Sequence, residues 1–256
     1  MTEKNNVTTI LTDRQTDRQT DRQTDRQLLV LELFAGTRSI SKAFERRGHK
    51  TFCIDWDTKF EGIDLCKDVR ELTADEILQK FGRPDVIWAS PDCTSYSLAA
   101  ISRHRKKNPI TGNLDPISEY AKFCDDVNQH VLKLIRELNP KLYFIENPRG
   151  GLCSMSWMKE YPKYLACYCQ YGYPYMKPTH IFTNHPNPQF KHCKNGDPCH
   201  ERAPRGTKQG LQKIKSVADR ATIPPLLCDH IVDISEQYIL RENLTTNQEL
   251  TNRNTN

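Results

Sequence analysis

Four short, largely apolar runs, Leu28–Phe34, Thr51–Ile54, Val86–Ala89 and Leu142–Ile145, each stop at a turn or a polar cluster. Runs this short, bounded by turn signals, read as buried strands, because a helix needs roughly 10–12 residues. Between the first two lies a helix from Ile40 to Arg47, closed by Gly48. Before the last, Val127, Val131, Leu134, Ile135 and Leu138 repeat with helical spacing and stop at Asn139-Pro140. Strands alternating with helices predict an α/β, Rossmann-like sheet. Such sheets bind ligands outside the carboxyl ends of their strands. Those ends hold a turn at Gly36, then Asp55-Trp56-Asp57, then Ser90-Pro91-Asp92-Cys93, then Glu146-Asn147-Pro148.

The chain of 256 residues has room for one such domain with a small appendage. Lys+Arg is 37 against 32 Asp+Glu, a formal charge of +5 that permits a nucleic-acid partner without requiring one. The 10 cysteines are irregularly spaced, and the N-terminus Met1-Thr2-Glu3-Lys4-Asn5-Asn6 is polar. No apolar run approaches the roughly 18–20 residues of a membrane span, and no signal peptide is evident. A cytoplasmic monomer with reduced thiols and no membrane contact is expected.

Thr12 to Gln27 are four copies of Thr-Asp-Arg-Gln, without an apolar residue. Such a segment has no face to bury, so residues 1–27 are expected to be a disordered tail. A phosphate-binding arm is the weaker alternative, since each Arg has an Asp beside it. The repeat can also be encoded by the tetranucleotide ACAG in tandem. Gain or loss of one unit would then shift the reading frame, a slippage switch that the synonymous codons of the four copies would reveal.

The first strand, the turn Ala35-Gly36-Thr37-Arg38-Ser39 and the helix present backbone N–H groups to a ligand, with Ser39 placed to cap the helix. An acid ending the second strand, about 20 residues after the glycine turn, is the usual partner of a ribose hydroxyl pair. Asp55 holds that place, and Trp56 offers a flat face for an adenine. A capping Asp and a core Trp are the plain alternative. Asp68, before Val69, stands to accept from an adenine amino group or to cap a helix. No phosphate-binding lysine follows the glycine turn, which favours an adenosine without phosphates. Cys93 alone reads first as a buried structural thiol, with a nucleophile as the weaker alternative.

Four pieces together resemble the cytosine-C5 DNA methyltransferases, in the compact bacterial or phage form. Leu33-Phe34-Ala35-Gly36-Thr37 resembles their first S-adenosylmethionine motif. Ser90-Pro91-Asp92-Cys93 resembles the loop of the nucleophile, and Glu146-Asn147-Pro148 the Glu-Asn-Pro motif. Gln170 to Ile181 resembles the later motif whose basic residue contacts the base. The likeness covers residues 28–184, the expected catalytic domain.

The resemblance implies methyl transfer from S-adenosylmethionine to C5 of a cytosine flipped out of DNA. C5 is a poor nucleophile until a thiolate adds at C6, the role implied for Cys93. Glu146 would relieve the negative charge by protonating or hydrogen-bonding N3, which requires a raised pKa. Asn147 and Pro148 would fix the turn that aims it and, with Lys177, His180 and Ser95, contact the base. Phe34, Gly36, Thr37, Asp55, Trp56, Asp68, Val69 and Pro91 would hold the cofactor. A cognate restriction endonuclease is the matching partner. Several residues depart from the pattern. Asp92 replaces a proline and is expected to raise the thiol pKa and loosen the loop. Arg38 replaces a glycine, at a cost of roughly 1–2 kcal/mol if the position needs positive φ. Lys177 and His180 stand where arginines are usual. These departures leave two other readings, a catalytically weak or silent DNA-binding relative and the same chemistry on RNA.

Residues 185–218 form a short polar, basic insertion with Lys191, Lys194, Arg202, Arg205, Lys208, Lys213 and Lys215, suited to phosphate contacts. Within it His192, Cys193, Cys199 and His200 are zinc-type ligands, though tightly spaced and without a second Cys-x-x-Cys. A polar loop without metal is the expected state. A helix beginning near Pro224-Pro225 completes the domain within 219–242, and the Asn- and Thr-rich 243–256 should be disordered.

Overall fold

The computed structural model describes residues 26–202, 219 and 221–253. The repeat before Arg26, and the basic positions Arg205, Lys208, Lys213 and Lys215, lie outside the described residues. A seven-stranded sheet runs through the fold. Its strands are β1 (Leu29–Leu33), β2 (Lys50–Asp55), β3 (Leu65–Cys66), β4 (Val86–Ala89), β7 (Leu142–Pro148), β8 (Lys163–Cys167) and β9 (Pro178–Thr183). Their spatial order is β3-β2-β1-β4-β7-β9-β8. β1 pairs in parallel with β2 and β4, and β4 with β7, whereas β9 is antiparallel to both its neighbours. A separate hairpin pairs β5 (Arg105–Lys107) with β6 (Leu114–Pro116). This is the α/β, Rossmann-like architecture that the alternating elements predict.

Helices cover both faces of the sheet. On one lie α1 (Ser39–Arg46) and α5 (Pro225–Arg253), on the other α2 (Ala74–Lys80) and α4 (Glu119–Leu138). A four-residue helix α3 (Ile101–His104) leads into the hairpin. Side chains of a strand alternate between faces. Val30, Val86, Trp88 and Phe144 therefore pack with Phe44 and Ile231, while Leu31, Ile87 and Ile145 pack with Val131 and Ile135. Both sides of β1, β4 and β7 are thus apolar, which is why these strands read as continuous hydrophobic runs.

Two local expectations change. Ser39 is the first residue of α1 rather than its cap; Arg38 is the N-cap, and its own side chain makes no capping bond. The last helix does not end near 242 but continues to Arg253. That stretch holds neither Gly nor Pro, and extending a formed helix costs far less than starting one. α5 is also tied to α1 and the turn after it, through Arg46–Asp229 (2.8 Å), Arg47–Asp233 (3.0 Å) and His49–Glu236 (2.9 Å). Residues 185–202 are sewn to the sheet edge: Cys167 N–H donates to the Lys191 carbonyl (2.9 Å), and Phe190 is buried. Among the described residues no helix is long and apolar enough to cross a membrane.

Candidate active site

The strand order reverses between β1 and β4: the chain builds outward to β3, then returns to the other side of β1. Such a switch point opens a crevice at the carboxyl ends of the two strands. The crevice is a cavity of ≈ 670 Å³, lined at one end by Phe34, Gly36 and Trp56 and at the other by Cys93, Glu146 and Lys177. That volume is in the range of a small-molecule site, roughly 300–1,000 Å³.

The turn after β1 is wound tightly. Phe34, Gly36 and Arg38 have φ of 59°, 48° and 60°. Positive φ costs a non-glycine residue roughly 1–2 kcal/mol, so Phe34 and Arg38 are strained. The Arg38 guanidinium is held by Cys53 Sγ (3.1 Å) and Glu45, which secures the turn. Asp55 fastens it from β2, accepting from Gly36 N–H (2.9 Å) and Asp57 N–H (2.9 Å). A carboxylate has about four acceptor positions, so Asp55 can still take a hydroxyl. Trp56 lines the cavity and is 70 % exposed, an aromatic face that no core packing occupies. Thr37 and Pro91 also line the cavity. These residues fit an adenosine-bearing cofactor: an acid, an open ring face and a backbone turn meet in one crevice.

Cys93 follows β4 and starts the turn Thr94–Tyr96. Burial, then the charges of Glu146 and Asp92, push its thiol up to about 11, while Lys177 opposes them. Asp92 does not loosen this loop. Its carboxylate accepts from Thr94 N–H (2.7 Å), a local cap that fixes the turn. Glu146, buried on β7, accepts from the Tyr168 hydroxyl (2.8 Å). Burial raises its pKa, and the opposing influences of Lys177 and Tyr168 are smaller. Lys177 Nζ lies 4.3 Å from the Tyr168 ring centroid. A thiol, a buried carboxyl with a raised pKa and a cation therefore line one cavity.

Strand periodicity explains which residues fall elsewhere. Asn147 follows Glu146 and takes the opposite face; it does not line the cavity but donates from Nδ2 to the Pro91 carbonyl (3.2 Å). It positions the Cys93 loop. His180 pairs with Asn147 across β7 and β9 and shares that face, so it is not in the cavity either. Lys177, an odd number of residues before His180, is on the Glu146 side. Pro148 does line the cavity. Ser95 is fully buried and accepts from Arg105 (3.0 Å) instead of facing the cavity. Asp68 is captured by Arg70 two residues on (2.7 Å), which lowers its pKa, and Val69 is buried in the core. Neither reaches the cavity. Of the zinc-type residues, exposed His192 stands apart, while Cys193, Cys199 and His200 meet Cys169.

Three features had no signal in the sequence. Thr222 and Ile223, before α5, line the cavity, brought there by the packing of that helix. Arg105 is a buried guanidinium holding the Cys93 loop to α4. Glu32, in the middle of an apolar run, lines the cavity and accepts from Ser41 N–H (2.8 Å) and Ile40 N–H (3.3 Å) at the start of α1. Burial raises the Glu32 pKa from 4.5 to about 7. The folded protein therefore holds a proton that the unfolded chain has released across that window. Stability should fall as pH rises from about 4.5 to about 7, by about 3 kcal/mol from this group. Urea unfolding at pH 5 and pH 8 checks this: Glu32→Gln should lose less stability between the two than the unaltered chain. Equal losses would refute it.

No family model matches the chain. Two curated relatives do. The chain is 28% identical over 179 residues to a probable DNA (cytosine-5)-methyltransferase of Frog virus 3 (isolate Goorha), spanning 66% of this chain and 77% of that protein. It is 29% identical over 131 residues to the type II methyltransferase M.BbvI of Brevibacillus brevis, spanning 50% of this chain and 31% of that protein. These relatives support a cytosine-C5 methyltransferase family. Solved structures with partial overlap include a putative DNA modification methyltransferase encoded within an E. coli prophage (TM-score 0.45, 17% identity, 61% of this chain and 46% of that one). Another is the Entamoeba histolytica methyltransferase EhMeth (TM-score 0.45, 17% identity, 70% of this chain and 58% of that one).

Proposed function

We propose that this chain is an S-adenosylmethionine-dependent DNA cytosine-C5 methyltransferase in which Cys93 adds to C6 of the target cytosine. The observation that carries the reading is the shared cavity wall. A cysteine follows β4, and a buried acid with a raised pKa lies near the end of β7, with the Lys177 charge acting on both. Addition of the Cys93 thiolate makes the ring an enamine and places negative charge toward N3. Glu146 meets that charge as a proton donor, its other oxygen occupied by Tyr168. Lys177 contributes a point charge rather than a bidentate fork. Phe34, Gly36, Thr37, Asp55, Trp56 and Pro91 would hold S-adenosylmethionine, whose sulfonium supplies the methyl group. The cavity is a crevice at the sheet end, so the cytosine must leave its helix to enter. A compact phage or bacterial type, and a companion endonuclease, belong to the same proposal.

Bisulfite sequencing of DNA from cells expressing the chain tests it. Protected cytosines at a recurring sequence are expected. Unmarked DNA together with a trapped adduct on 5-fluorocytosine RNA would reassign the substrate. Absence of both, from a folded chain, would leave a DNA-binding relative without catalysis.

A further inference from the structure

The described residues bring one further set of reactive side chains together, away from the catalytic cavity. Cys169 lies in the short turn Tyr168–Tyr171, and Cys193, Cys199 and His200 come from the loop that returns along the sheet edge. Their four ligand atoms lie within 4.8 Å of one another. Cys169 Sγ is 3.3 Å from Cys193 Sγ and 3.8 Å from Cys199 Sγ. His200 Nδ1 is 3.4 Å from Cys199 Sγ and 3.9 Å from Cys193 Sγ. A tetrahedral zinc centre, with Zn–S near 2.3 Å and Zn–N near 2.0–2.1 Å, sets S···S at about 3.8 Å and S···N at about 3.6 Å. The S···N separations bracket their value, and the S···S separations, 3.3 and 3.8 Å, reach theirs from below.

The residues also arrive from two places far apart in sequence, which four chance neighbours on one loop would not. Cys169 and Cys193 are buried, and Cys167 and Met176 pack beside them. Three thiols and an imidazole converging in an otherwise apolar pocket form a donor set that prefers zinc. We propose that Cys169, Cys193, Cys199 and His200 bind one structural Zn²⁺ through three thiolates and Nδ1.

The metal would act as a staple. It joins the turn that carries Tyr168 to the loop at 193–200. That loop is bonded further to the segment before β9 by Glu201 N–H to the Pro174 carbonyl (2.8 Å). Tyr168 is the hydroxyl on Glu146, and Lys177 follows that segment. The staple therefore positions Lys177, which lines the cavity, and the Tyr168 hydroxyl behind Glu146, without touching the cavity itself. All four coordination positions are filled by protein, the mark of a structural rather than a catalytic zinc.

The test uses the full chain, purified under reducing conditions without chelator. Elemental analysis should give close to one zinc per chain. Cobalt exchanged into the protein should give the intense visible bands of a tetrahedral, thiolate-rich site. Cys199→Ser and His200→Ala should lower the zinc content to below about one tenth per chain, whereas His192→Ala should retain it. The cobalt spectrum of the unaltered chain stands even if a variant fails to fold. A reduced, folded chain without metal, iron in place of zinc, a Cys169–Cys193 disulfide in the freshly isolated protein, or zinc lost with His192→Ala would each overturn the proposal.

Discussion

Cys93→Ser is expected to lower methyl transfer by at least about 1,000-fold while leaving the fold and cofactor affinity unchanged. A serine hydroxyl is a far weaker nucleophile than a thiolate toward an aromatic carbon. The substitution removes one atom's chemistry from the end of β4 without altering the bonds that shape the loop. These bonds belong to Asp92 and Thr94, to Asn147 on Pro91 and to Arg105 on Ser95. Single-turnover transfer of labelled methyl to DNA measures the effect, and retention of a tenth of the rate would exclude the nucleophile role. The environment of Cys93 adds a pH signature. Burial, then Glu146 and Asp92, push the thiol up to about 11. Alkylation of Cys93 in the free protein should therefore rise steadily from pH 7 towards about 11. Asp92→Asn removes one negative charge and should shift that profile to lower pH. It keeps an acceptor for Thr94 N–H, which Asp92→Pro would lose.

Arg105→Ala should be the most destabilising single change near the site, by about 3–5 kcal/mol. Arg105 is 3 % exposed and pairs with Asp125 at 2.7 Å. It also donates to the Ser95 carbonyl and hydroxyl, both at 3.0 Å, and its guanidinium carbon lies 4.2 Å from the Tyr96 ring centroid. Tyr96 in turn donates to Asp125 (2.7 Å). Truncation leaves the Asp125 carboxylate buried without its cation and frees the segment just after Cys93. Total stabilities of such domains are about 5–15 kcal/mol, so a large part of the margin would go. Urea unfolding gives the energy and the methylation assay the functional cost. Asp125→Leu combined with Arg105→Met should recover much of the stability, since an apolar pair has no stranded charge, but not the hold on Ser95. A loss below about 1 kcal/mol for Arg105→Ala would show that the pair is not the anchor.

Much of the candidate site is legible in the sequence. Cys93, Glu146, Gly36, Asp55 and Trp56 sit at strand ends, and a parallel sheet directs strand ends to one crevice. The misses share a cause. His180, Asn147 and Ser95 lie beside functional residues in sequence, yet strand alternation or burial turns them away from the cavity. Asp68 was open to two uses, and the neighbouring Arg70 claimed it for the cap. Glu32 and Arg105 were invisible because a charged residue acquires a buried role only through partners distant in the chain, Ser41 and Ile40 for one and Asp125 and Ser95 for the other.

Strands β1, β2, β4 and β7, helices α1, α4 and the start of α5, and the residues that end those strands were determined by sequence alone. Local propensity and side-chain periodicity are short-range and can be counted along the chain. Which of two adjacent residues faces the crevice, which carboxyl groups have a raised pKa and which cysteines meet were decided only by tertiary structure. Those properties depend on burial and on distances between segments far apart in sequence, such as Cys169 and Cys199, and no local pattern encodes them.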